Sequence, residues 1–183
     1  MLDNYPFALE HQAALISCIK YLLEMPDVAF RAFSRGNAFN KVIRNFQYYV
    51  AEKKYLIPYK SEILSRHYFR ATLEAHEYME KFNSIKNIHH EHSVPVAKII
   101  ERLLEFRALG LNVTEEVIMQ TVLAGEIVLI TNEQNIRLNS KNELNLKFKM
   151  PESWRWGDSH LVRIHAITNQ IVGTRRIGMP SSD

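Results

Sequence analysis

Residues 88–96 read IHHEHSVPV, in which His89, His90, Glu91 and His92 stand in a row ahead of Pro95. A carboxylate next to an imidazole is a workable pair for hydrolysing a phosphodiester. The carboxylate holds a hard cation such as Mg²⁺, the cation neutralises charge on the phosphate and its leaving oxygen, and the imidazole takes a proton from the attacking water. In a strand, alternate side chains share a face, so His90 and His92 point one way and His89 and Glu91 the other. At the strand's end that alternation loosens, and Glu91 and His92 can both reach one ion; the remaining ligands must come from elsewhere in the chain. The same residues also support an architectural reading, in which Glu91 and His92 cap or bridge neighbouring helices and Glu91 pairs with an arginine such as Arg70.

The elements that must position this segment follow from periodicity. In ALEHQAALISCIKYLLEM the apolar residues Leu9, Ala13, Ile16, Ile19, Leu22 and Leu23 recur at helical spacing, and Pro26 closes the segment. The pattern predicts a second helix over about 37–53 and, beyond Pro58, a third over about 59–82. IHHEHSV reads as a short strand, and Pro95 suits the first turn of the next helix, where its missing N–H costs nothing. Val96, Ile99, Ile100, Leu103 and Leu104 line one face of that helix, and Gly110 follows its end. Thr114 is an N-cap with Glu115 and Glu116 in the first turn and Gly125 as the stop. EIVLIT (126–131) is an apolar, β-branched run of strand length, and NEQNIRLNS makes a short helix. Residues 141–157 are mostly loop, and DSHLVRIHAITNQ begins a last helix capped by Asp158 or Ser159. The chain is therefore expected to be α+β and predominantly helical, a single domain over 1–183. A helical portion (1–84) leads into a strand–helix–helix–strand–helix portion (85–172) and a loose tail (173–183).

EHSVP (91–95) and EIVLITNEQNIRLNSK (126–141) together resemble the HNH, or ββα-metal, nuclease superfamily over residues 88–141. Glu91, His92 and Pro95 are similar to the (Asp/Glu)-His-x-x-Pro opening of that motif; Glu126 stands where an asparagine commonly opens the second strand. The resemblance implies His92 as general base and Glu91 as a metal ligand. It also implies Asn135 and Asn139, one turn apart on one helix face, as further ligands of a divalent ion, Mg²⁺ first. Arg137 on the same helix is a candidate for stabilising charge on the phosphate. The wider layout, from AHEYMEKF through IHHEHSVP to LITNEQN and KMPESW, is similar to uncharacterised bacterial or phage proteins, which adds no chemistry.

Charge along the chain supplies the other functional signal. Residues 31–70 hold nine Lys or Arg against two Asp or Glu, whereas the whole 183-residue chain carries only +3. Arg31, Arg35, Lys41, Arg44, Lys53, Lys54, Arg66 and Arg70 in this block are interleaved with aromatics, a mixture suited to phosphate contacts with stacking beside them. The same mixture also describes a solvated helix face whose aromatics point into the core. Cys18 is the only cysteine, so no internal disulfide forms, a reducing cytosol fits, and the thiol is expected to be a small buried filler. No apolar run is long enough to span a membrane and no signal peptide opens the chain, so a cytoplasmic protein without a membrane partner is expected. GxSxG, GxxxxGK[ST], HExxH and CxxC are all absent, which removes the usual parts of serine hydrolases, P-loop enzymes, zincins and thioredoxins. His76–Glu77, His160 and His165 read as surface or core residues. Two functions remain: an HNH-like nuclease acting on DNA or possibly RNA, and a non-catalytic protein that binds nucleic acid or inhibits a protein partner, as small phage-related proteins do.

Overall fold

The computed structural model describes residues 6–30, 39–44 and 69–173. Helix α1 (Pro6–Glu24) buries Ile16, Ile19, Leu22 and Leu23 of the expected stripe, whereas Ala13 is exposed. Cys18 sits on the opposite, exposed side of α1, so the expectation of a buried thiol is corrected: it is two residues from Ile16, about 200° round the helix. Of the second expected helix, the described residues 39–44 are helical and bury Phe39 and Ile43. The remainder of that helix lies outside the described residues.

A four-stranded mixed sheet forms the other half. Its strands are β1 (Arg70–Thr72), β2 (Ile88–His92), β3 (Ile127–Thr131) and β4 (Ile171–Val172), in the order β2-β3-β1-β4. β2 runs antiparallel to β3, with Ile88 opposite Thr131 and His92 opposite Ile127; β1 is parallel to β3, and β4 antiparallel to β1. β3 is central and covered on both faces, which is why it reads as a continuous apolar run rather than an alternation. Ile127 and Leu129 pack with Phe69, Ala71, Ala75 and Met79, partly on helix α2 (Leu73–Phe82). Val128 and Ile130 pack on the other face with Leu138, Leu146, Ile164 and Ile167, from helix α5 (Asn132–Asn139), the loop after it, the short helix α6 (Val162–His165) and the turn that follows it. Helices α3 (Val96–Ala108) and α4 (Glu115–Val122) join α1 and residues 39–44 in a separate core.

The strand–helix–helix–strand–helix unit is therefore present as β2-α3-α4-β3-α5, and the class is α+β with helix dominating. Two expected helices differ. Residues 70–72, placed in the third helix, are strand: they pair with β3, and Thr72 turns the chain by accepting the backbone N–H of Ala75 as the N-cap of α2. The last helix is a single turn, after which Ile171 and Val172 pair with Thr72 and Ala71 as β4. No helix among the described residues is long and apolar enough to cross a membrane.

Gly125 closes the α4–β3 connection against β2's exit. A Cβ there would lie 2.9 Å from Val94 Cβ and 3.0 Å from Val94 N, and Val94 is fully buried. The two chain segments are also tied by Ser93 N donating to Glu126 O (2.7 Å) and Glu126 N donating to Ser93 Oγ (2.8 Å), so neither can drift apart cheaply. Gly125→Ala is expected to cost about 1–3 kcal/mol through overpacking. Urea unfolding checks this; an unchanged midpoint would mean that the segment yields.

Candidate functional site

At the end of β2 the polar side chains part to two sides of the sheet, as the period of two requires. On the side of α5 and α6, Glu91 Oε1 lies 2.6 Å from Arg163 Nη1, and Glu91 Oε2 lies 3.1 Å from His89 Nε2. Arg163 has no exposed surface. Its Nε donates to Leu146 O (2.9 Å), its Nη1 to His92 O (2.9 Å) and its Nη2 to Asn139 Oδ1 (3.4 Å). Asn139 Nδ2 in turn donates to Asn135 Oδ1 (2.5 Å). Glu91 and Asn139 thus meet around a guanidinium from α6, and Asn135 is linked to it only through Asn139.

Electrostatics agree with that geometry. Burial alone raises the Glu91 carboxyl, but the hydrogen bond from His89 and the charge of Arg163 outweigh it, and its pKa ends below the ordinary carboxylate value. Burial pulls Arg163 below its usual value while Glu91 opposes the shift, and guanidinium basicity is high enough for the group to stay charged. This is a buried ion pair whose remaining donors are met by carbonyls, the condition under which such a pair is tolerated.

His92 faces the other way and is 5% exposed. Its Nε2 lies 3.1 Å from Arg44 Nη1. A guanidinium only donates, so Nε2 accepts and the ring is neutral. Burial, then the charge of Arg44, push the His92 pKa down to about 3. The lone pair that a general base would use is engaged with Arg44. Arg44 itself is exposed and is steadied by Nε donating to Asn40 Oδ1 at 2.7 Å. His90, on the same side of β2 as His92, meets the Phe69 ring edge-on at 5.4 Å.

The other sequence candidates scatter. Arg137 is exposed on a different flank of α5, 3.8 Å from Glu143, where it borders an open cavity with Glu74, Tyr78, Asn87 and Gln134. Arg70 pairs with the buried Glu126 (3.5 Å), which also meets His160 Nε2 (3.0 Å); the arginine that serves Glu91 is Arg163. Lys41 is exposed on the 39–44 helical segment, and Arg31, Arg35, Lys53, Lys54 and Arg66 lie outside the described residues. Sequence reasoning missed Arg163. Its one local signal is a cation set between Val162 and Ile164 in an apolar turn, a placement that demands buried acceptors.

A divalent ion between Glu91 and the asparagines is what the HNH resemblance implies. As arranged, the donor set fits a guanidinium instead: both Glu91 oxygens and Asn139 Oδ1 are turned to nitrogen partners. Comparison with protein-family models, curated proteins and solved structures finds no match.

Proposed function

We infer that this chain is a non-catalytic nucleic-acid-binding protein of the cytosol whose basic segment, residues 31–70, grips a phosphate backbone, duplex DNA first. The observation that supports this reading is Arg44: an exposed guanidinium held by two neutral acceptors, the Asn40 amide and the His92 imidazole. Among the described residues no carboxylate pairs with it, so its charge is positioned there without being cancelled. A phosphate contact gains from both properties, because part of the side chain's ordering is complete before the ligand arrives and the attraction is undiminished. Lys41 adds a second exposed cation on the same segment, whereas Arg70 is committed to Glu126.

Fluorescence-anisotropy titration of a labelled DNA duplex is expected to give binding that survives EDTA and weakens linearly in log K against log salt. Arg44→Ala is expected to weaken all sequences alike and reduce the salt slope by about 1. Absence of binding to duplex DNA and to RNA at about 50 mM salt sinks the reading and points to an inhibited protein partner instead.

The HNH-like nuclease reading, with His92 as base and Glu91, Asn135 and Asn139 on a divalent ion, draws support from one observation. β2 pairs antiparallel with β3, and β3 leads directly into α5, an arrangement that brings Glu91 and Asn139 onto the same guanidinium. Against it stand the engaged Nε2 of His92 and the neutralised carboxylate of Glu91. Plasmid or RNA cleavage in Mg²⁺ or Mn²⁺ that His92→Ala abolishes would establish it in place of the first.

A further inference from the structure

Four oxygens surround the Arg163 guanidinium: Glu91 Oε1, the carbonyl oxygens of His92 and Leu146, and Asn139 Oδ1. A carboxylate, two backbone carbonyls and an amide are the donor types that hard divalent cations accept. They are contributed by β2, by α5 and by the loop after α5, so the chain has folded three separate segments around one buried positive charge. We propose that this is an oxygen-lined cation site permanently filled by the chain's own guanidinium, Arg163. The wild-type chain consequently takes up no divalent ion there.

The shape of the cluster favours the organic cation. The oxygens lie 2.6–3.4 Å from three different nitrogens and are spread round the edge of a planar fork. An ion such as Mg²⁺ requires its oxygens gathered at about 2.1 Å from a single point. Charge points the same way: the one carboxylate is matched by one guanidinium, and a divalent ion added beside Arg163 would leave a buried positive excess. Only loss of the guanidinium opens the place.

Titration of the full chain with Mn²⁺, followed by the EPR signal of the free ion, tests this directly. Wild type and Glu91→Gln are expected to give the same curve, with no uptake that depends on Glu91. Arg163→Ala is expected to gain one equivalent of bound Mn²⁺ and to lose it again in the Arg163→Ala/Glu91→Gln double variant. One equivalent bound by wild type and lost in Glu91→Gln overturns the proposal, as does a folded Arg163→Ala that stays blind to Mn²⁺. The comparison of wild type with Glu91→Gln needs no folded Arg163 variant and can overturn the proposal by itself. No nucleic acid enters the measurement, so it succeeds or fails independently of the binding reading.

Discussion

Arg163→Met is expected to lower the stability of the fold by about 3–5 kcal/mol, the range for removing one partner of a buried ion pair. The methionine fills much of the space, so lost volume is a minor part. What remains is a Glu91 carboxylate at 12% side-chain exposure with only the His89 imidazole beside it, and the carbonyls of Leu146 and His92 without the guanidinium that they accept from. The pH dependence distinguishes this cause from simple repacking. In wild type the folded Glu91 pKa lies below its unfolded value, so its contribution is present above the unfolded pKa and is lost as pH falls through the folded one. Without Arg163, burial still raises the carboxyl and only His89 still lowers it, so the share of this contribution owed to Arg163 disappears and the variant's deficit narrows on acidification. Glu91→Gln/Arg163→Met, which removes both charges, is expected to recover a large share of the loss. Urea unfolding of the three variants at two pH values measures all of this. A deficit that is independent of pH and unrelieved by Glu91→Gln would show that the carboxylate was never the cost.

What the sequence allowed to be read was whatever is decided locally. EIVLIT became β3 because its β-branched residues form a run too short for a helix, and Thr114 and Thr131 cap α4 and α5 through contacts only three residues long. β1 and β4 were illegible for the converse reason. Three and two residues carry no usable period, and they become strands only because β3 and Gly173's close approach to Phe69 O bring distant segments alongside. The candidate site divides in the same way. That Glu91 and Asn139 approach one point follows from the order of β2, β3 and α5, and EHSVP with NEQNIRLN foretold that much. That the point is filled by Arg163 depends on the single helical turn of α6, whose position is set by packing of Ile164 and Ile167 against Val128 and Ile130 rather than by any local motif. Arg44 was flagged only as one of eight basic residues. Its distinction, two neutral partners, exists only once β2 presents His92 to the 39–44 segment.

Between pH 6.5 and 4.5 wild type is expected to lose about 2 kcal/mol of stability through His92, the loss steepening toward about 1.4 kcal/mol per pH unit at the acid end. The direction follows from the depressed pKa. Burial and Arg44 hold the folded imidazole neutral down to about pH 3, whereas the unfolded chain takes up the proton near pH 6.5. The unfolded state therefore binds more protons throughout this window, and acidification favours it; above pH 6.5 both states are neutral and the contribution is complete. The Glu91 carboxyl, lowered from an already acidic value, adds its own loss at lower pH. His92→Gln keeps a side-chain acceptor for Arg44 but cannot be protonated, so chemical unfolding at half-unit pH steps is expected to give a flatter profile for the variant, with the difference confined below pH 6.5. Equal slopes for wild type and His92→Gln would mean that the imidazole titrates normally in the fold. In that event its basicity would be near that of a working general base, and the hydrolytic reading would recover the residue it most needs.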